Sequence, residues 1–190
     1  MKNKIINRAK IFLIFFSLSL VVTSGLRADT LMLTVSGGYL FPADAGYREV
    51  YGRKVIVPEF KVGLRVLSNF YLYGNFFSFS KNGLTPELEE PASSRQQFFG
   101  GGLAYSPYLN KHFKAYLGAG VVAVTYSEEA MGITVSGNKV GFSVEGGLYL
   151  KEKFLLMGIN AAYCSASSSY EGVNFKIGGA RASALLGFIF

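Results

Sequence analysis

The chain has 190 residues, half of them hydrophobic, with 17 Phe, 12 Tyr and no Trp, and its 23 glycines follow no three-residue period, which excludes a collagen-like chain. Its formal charge of +7 is uneven: the first 28 residues hold five of the 19 basic residues and none of the 12 acids, so the rest carries +2. No basic patch with interleaved aromatics survives there, and a nucleic-acid partner is not expected.

In chain order, "MKNKIINRAK" is basic, "IFLIFFSLSLVV" is apolar but too short for an ordinary membrane helix, and "TSGLRA" is small and polar. That order predicts a cleavable signal peptide over residues 1–28 and an exported domain over 29–190; the alternative is a retained N-terminal anchor. With Cys164 as the one cysteine, no intrachain disulfide is available.

From Asp29 onward no window holds 18 consecutive apolar residues, which excludes a helical inner-membrane bundle, and the period is two. In "LTVSGGYLF", Leu33, Val35, Tyr39 and Phe41 share one face, and Thr34, Ser36 and Gly38 the other. Phe60, Val62, Leu64 and Val66 oppose Glu59, Lys61, Gly63 and Arg65. Phe142, Val144, Leu148 and Leu150 oppose Ser143, Glu145 and Gly147. At the end of the chain Ala184, Leu186, Phe188 and Phe190 oppose Arg181, Ser183 and Gly187. Eight strands are predicted: Leu31–Phe41, Lys54–Leu67, Phe70–Ser80, Gln96–Tyr105, Lys114–Tyr126, Lys139–Leu150, Phe154–Cys164 and Gly179–Phe190.

A soluble sandwich also alternates. Against it stand the strand lengths, the Gly- and Ser-rich second face, and aromatics near strand ends (Phe70, Tyr71, Phe113, Tyr126, Phe188), which read as membrane girdles. The connections "SN", "SPYLNKHF" and "KEK" are short. Pro42–Arg53, Lys81–Arg95, Ser127–Asn138 and Ser165–Gly178 are long and polar. The pattern predicts an all-β fold, an eight-stranded antiparallel transmembrane β-barrel in the outer membrane of a Gram-negative bacterium. Its long loops face outward and both termini lie at the periplasmic rim. The last strand must pair with the first, because lipid tolerates no open edge. Phe188 and Phe190 then lie on the lipid face as an assembly signal for the barrel-insertion machinery.

The signal peptide, "VSGGYLFP", "KAYLGAGVVAVTY" and the terminal "RASALLGFIF" together resemble the small eight-stranded outer-membrane barrels, the family of the outer-membrane protein A transmembrane domain. The resemblance spans nearly all of residues 29–190. It implies location and architecture, with outer-membrane lipid and lipopolysaccharide as surroundings, and no single activity. No peptidoglycan-binding domain is expected after the last strand.

Chemistry is sparse. His112, the single histidine, is placed in a turn at the periplasmic rim, and Ser165, Ser167, Ser168 and Ser169 in the fourth outer loop, so a serine–histidine lipid hydrolase or acyltransferase is not assembled. One His and one Cys on different rims make no zinc site, and neither a metal nor a cofactor is expected. Glu87, Glu89 and Glu90 cluster in the second loop, and Glu128 adjoins Glu129 in the third; such pairs are solvated or bind the divalent cations that bridge lipopolysaccharide. Gly100, Gly101 and Gly102 let bulky neighbours pack inside.

Inward, Glu59, Lys61, Arg65, Glu145 and Arg181 are expected to form a hydrogen-bonded cluster, at least one glutamate touching Arg65, Arg181 or Lys61, since enclosed charges must be paired or wetted. Such a cluster acts as a plug. The leading reading is therefore a monomeric barrel with a structural or surface-interaction role and an extracellular ligand sought at the long loops. A narrow channel or carrier is the alternative, and a lipopolysaccharide-modifying enzyme a third.

Overall fold

Strict alternation leaves one apolar and one mixed face on every strand, and closing the sheet puts the mixed face inside. The structure, a computed structural model, describes residues 29–86, 88–170 and 172–190. The expected signal peptide lies outside the described residues, as does Glu87 of the second-loop acids.

The described residues form eight strands: β1 (Leu31–Pro42), β2 (Val55–Leu67), β3 (Phe70–Leu84), β4 (Pro91–Tyr105), β5 (Phe113–Ala130), β6 (Ile133–Glu152), β7 (Leu155–Tyr170) and β8 (Val173–Ile189). Each pairs antiparallel with its neighbours in sequence, and β1 closes on β8 to complete the barrel. Two backbone bonds between Leu31 and Phe190, of 2.9 and 2.8 Å, seal that seam at its lower end. The terminal rim carries the start of β1, the end of β8 and the β2–β3, β4–β5 and β6–β7 connections. Positive φ at Ser68 and Lys153 makes two of these tight turns.

The opposite, hairpin rim differs from expectation. Three of the four segments read as long loops are mostly sheet. Ser80–Leu84 pairs with Pro91–Arg95, Ser127–Ala130 with Ile133–Ser136, and Ser165–Tyr170 with Val173–Gly178. Met131 and Gly132, at φ 54° and 74°, turn the β5–β6 hairpin in two residues. The physical reason is that the outward face of these stretches turns polar, so it no longer contrasts with the mixed inward face. Outward-facing Thr125, Ser127, Thr134, Ser136 and Asn138 continue files that lower down are Val121, Ala123, Val140 and Phe142. Once the outward face meets water, alternation no longer marks a strand. A barrel strand crosses lipid in about 9–11 residues, so β5 and β6, with 18 and 20, extend far beyond the apolar band.

The first long connection does leave the sheet. It holds a helix, α1 (Ala45–Tyr51), N-capped by the Asp44 carboxylate, which accepts from Tyr47 N–H at 2.9 Å. Asp44 also accepts from Lys176 N–H of β8 at 3.1 Å, so one side chain starts the helix and ties it across the barrel mouth. Gly83 of β3 lets the helix lie close: a Cβ there would sit 2.1 Å from Val50 O.

Aromatics outline the band on the lipid face. Phe76 pairs with Phe99 (4.6 Å between centroids) and Phe142 with Tyr163 (6.0 Å) toward the hairpin side; Phe70 pairs with Tyr105 (5.0 Å) and Phe154 with Phe188 (6.0 Å) toward the terminal rim. Tyr71 and Tyr126, read as girdle residues, instead face the lumen and are buried. A strand sends adjacent residues to opposite faces. Phe70 therefore takes the lipid side, and Tyr71 goes in with a hydroxyl to satisfy.

Candidate functional site

Eight strands enclose little more than the volume of their own inward side chains. The filling is layered. Nearest the hairpin rim, Leu40, Val57, Phe77, Phe98, Val122 and Ile177 form an apolar cluster that Tyr47 and Tyr51 of α1 close from above. Nearest the terminal rim, Met32, Tyr71, Tyr73, Tyr116, Tyr149 and Leu156 form a second. Between them lies the polar layer.

In that layer β2 presents Glu59 and Lys61, two residues apart on one inward file. Glu59 Oε1 accepts from Arg181 Nη2 of β8 at 2.7 Å and from Asn75 Nδ2 of β3 at 2.6 Å, while Oε2 accepts from Ser36 Oγ of β1 at 3.1 Å. Glu145 of β6 accepts from Lys61 Nζ, from Tyr116 Oη at 2.8 Å and from Asn160 Nδ2 at 3.3 Å. Each carboxylate thus takes one cation and two neutral donors, which is how a buried charge is held in a low-dielectric interior. Lys61 also sits over the Tyr116 ring at 4.8 Å, and the Arg181 guanidinium over Phe77 at 4.3 Å. Of the five charges expected here, four are brought together. Arg65 lies lower and makes no ion pair among the described residues; its charge is near Tyr71 and Lys114.

Gly118 leaves the space this layer needs, since a Cβ there would meet Glu145 and Tyr73 at 3.0 and 3.3 Å; Gly100 does the same for Asn75. Ser36, Asn75, Tyr116 and Asn160 went unread in the sequence. Their signal was their place on the inward files at the height of the two glutamates.

A second polar layer closes the terminal rim. Asp29, just before β1, is 4% exposed. Its carboxylate accepts from Lys151 Nζ, from Tyr108 Oη and from Lys114 Nζ (3.3 Å), and its carbonyl accepts from Tyr71 Oη at 2.9 Å. Burial pushes the Asp29 carboxyl up, but the hydrogen bonds of Lys151 and Tyr108 and the charges of Lys114 and Lys151 outweigh it and hold it below its ordinary 3.8. Partners 42 to 122 residues away leave no local sequence signal.

The reactive side chains stay apart. His112 lies in the β4–β5 connection, with Nδ1 3.2 Å from Glu152 Oε2 and both side chains exposed. Ser168 is inside β7, near the other rim, and exchanges a 2.9 Å hydrogen bond with Tyr126 Oη. Ser165, Ser167 and Ser169 belong to the same strand rather than to a loop. Cys164 is buried in the upper apolar cluster, within a strand that runs on past it. Glu128 and Glu129 point to opposite sides of β5, the first inward and the second outward, so they form no cation site. Phe188 and Phe190 stand exposed on the lipid face, centroids 6.3 Å apart.

No family model matches the chain, and no curated protein does. Solved structures do. Neisserial surface protein A superposes with a TM-score of 0.65 at 12% identity, over 87% of this chain and 100% of that one. Ail, the attachment invasion locus protein of Yersinia pestis, solved with the heparin analogue sucrose octasulfate, gives 0.52 at 13%, over 85% and 99%. The N-terminal β-barrel domain of Pseudomonas aeruginosa OprF gives 0.50 at 10%, over 86% and 100%.

Two outcomes test the layers. Replacing Glu59 by Gln leaves Arg181 buried without its counter-charge and lowers the unfolding free energy by about 3 kcal/mol, read from urea unfolding in lipid vesicles; Glu59→Gln with Arg181→Met recovers much of the loss. Asp29, with its folded value depressed, contributes stability that is complete above 3.8 and is lost as pH falls through the folded value. Between pH 5 and pH 2, roughly, the wild-type urea midpoint falls more steeply than that of Asp29→Asn. On present geometry, then, the chain is an eight-stranded antiparallel barrel with the fold of the small outer-membrane proteins.

Proposed function

We propose that the chain is a monomeric outer-membrane barrel whose closed interior makes it a scaffold, with a structural and surface-interaction role carried by the hairpin rim. The observation that carries this reading is the lumen: two apolar clusters and two ion-paired layers close it from the terminal rim up to the hairpin mouth. A sealed barrel spends its folding energy on rigidity, and rigidity serves display. The hairpin tips carry exposed Leu84, Met131, Ile133 and Val173 beyond the lipid band, where water-facing apolar residues suit contact with another surface.

We place the terminal rim in the periplasm, a reading that strand length supports: β5 and β6, with 18 and 20 residues, extend beyond the lipid band on the hairpin side. An expected signal peptide at residues 1–28 delivers the chain, and lipopolysaccharide and outer-membrane lipids surround the band. Full closure leaves no strand edge to recruit a partner strand, which supports the monomer. Ail was solved in complex with a heparin analogue, a polyanion. Asp44, Glu128 and Lys176 line the mouth of this barrel, two acids against one cation, so a polyanion is not the ligand its own chemistry favours.

Reconstituted in planar bilayers, the purified barrel passes no steady current and leaves lipopolysaccharide unmodified in a parallel assay. A persistent open channel, or altered lipid, overturns the scaffold reading. Phe188 and Phe190 are the proposed handle for the insertion machinery. Phe190→Asp keeps the backbone bonds to Leu31 and places one charge near an interface, a cost of about 0–1 kcal/mol to the folded barrel. Its effect appears in assembly: the heat-modifiable form accumulates several-fold more slowly in cells, while refolding into vesicles is nearly normal.

A further inference from the structure

Beneath α1 the upper apolar cluster does not fill the barrel mouth. A cup of about 510 Å³ remains, in the range of small-molecule sites. Tyr47 and Tyr51 of α1, Tyr126 of β5, Val135 of β6 and Phe175 of β8 make its walls. One charged side chain from the barrel wall projects among them, Glu128 of β5.

Glu128 differs from every other inward carboxylate. Asp29, Glu59 and Glu145 each have a cation in contact; Glu128 has none among the described residues. Its hydrogen-bonding neighbours are uncharged: Ser94 Oγ donates over a long 3.4 Å, and the Gln96 side chain is the other. Lys176 and Asp44 also line the cup; Lys176 is exposed at the rim and makes no ion pair with Glu128, and the Asp44 carboxylate accepts from the Lys176 backbone N–H. Tyr47 adds a second group: the residue is 8% exposed, and its hydroxyl has the Ser94 side chain beside it but makes no hydrogen bond of ordinary geometry. Burial, with the charge of Glu128 adding to it, pushes the Tyr47 and Tyr51 hydroxyls up to about 12, so both remain neutral.

We propose that this cup is a binding site for a small amphiphilic monocation, an organic ammonium with an apolar, preferably aromatic, body. The body lies against Tyr126, Phe175 and Val135. The ammonium donates to Glu128 and to Tyr47 Oη and faces the tyrosine rings, which attract cations. Charge selects among apolar ligands. A neutral one of the same shape would cover Glu128 and strip it of water with nothing in return, and an anion would be repelled.

The full barrel in zwitterionic nanodiscs is titrated by equilibrium dialysis against 4-phenylbutylammonium, 4-phenylbutanol and 4-phenylbutyrate, with empty nanodiscs subtracting partition into lipid. The ammonium binds saturably, the alcohol at least tenfold more weakly and the carboxylate not at all. Glu128→Gln lowers affinity for the ammonium at least tenfold, about 1.4 kcal/mol, and leaves the alcohol unchanged; Glu129→Gln, facing outward on the same strand, changes neither. If Glu128→Gln does not reach the heat-modifiable folded form, Ala130→Trp fills the cup from the adjacent inward position and abolishes binding. The proposal is overturned if the ammonium shows no saturable binding, if the alcohol binds as tightly, or if Glu128→Gln or a folded Ala130→Trp binds as the wild type does.

Discussion

Closure of the ladder between β1 and β8 is the constraint from which the rest follows. Lipid offers no partner to an unpaired N–H or C=O, so the sheet has no free edge within the band. Closing on eight strands then leaves an interior that, within the lipid band, its own side chains fill. Every inward residue becomes a core residue, whatever its chemistry. Glu59, Lys61, Glu145 and Arg181 sit on inward files between apolar layers, and closure turns them from a solvated face into a buried network. The same closure makes Gly118 and Gly100 necessary, because Glu145 and Asn75 occupy the space that a Cβ would take.

Pairing within that network is distributed rather than local. Glu59 draws on β1, β3 and β8, and Glu145 on β2, β5 and β7. Each carboxylate therefore pins four strands at one height, itself included. A slip of one residue in any of them would carry its donor to the lipid side. Hydrophobic contrast alone specifies which face is in. The two carboxylates with their six donors specify which residue meets which, and Arg181, resting on Phe77 while it donates to Glu59, ties the polar layer to the apolar one above.

The sequence was readable wherever the two faces of a strand meet different solvents. From Leu33 to Phe41, from Glu59 to Val66 and from Ala184 to Phe190, lipid lies on one side and the lumen on the other, and alternation marks every residue. Above the band the contrast vanishes. Thr134, Ser136 and Asn138 lie in a strand as regular as any, yet they read as loop because their outward file, apolar lower down, is polar here. Aromatic identity misled at Tyr71 and Tyr126, where parity with Phe70 and with inward Val124 was the better guide. Asp29 was invisible for another reason: its partners Tyr108, Lys114 and Lys151 come from a connection and two other strands, and nothing local announces them. The cup was unreadable because it depends on α1 folding back over the mouth, a position set by Asp44 and Gly83 through contacts with β8 and β3.

Depth orders the acids of the interior. Glu59 and Glu145 lie where water is excluded on both sides, and each is matched to a cation, since an unpaired charge there would cost several kcal/mol, roughly, even after relaxation. Asp29 lies at the terminal rim and holds two lysines. Glu128 lies at the other mouth, half-buried, where solvent still reaches it and an unmatched charge is cheapest to keep. Deeper, the same side chain would have to pair or neutralise; on the outer face, where Glu129 stands, it would be solvated and indifferent to what lies nearby. Only at the boundary, with aromatic walls around it and α1 above, does a carboxylate stand without a cation; burial there pushes the Glu128 carboxyl up from its ordinary value, and a bound cation would pull it back down. A rigid floor is what keeps it there: the ion-paired layer and the apolar cluster beneath fix β5, so Glu128 cannot swing down to Lys61 or Arg181 to find a counter-charge inside its own chain.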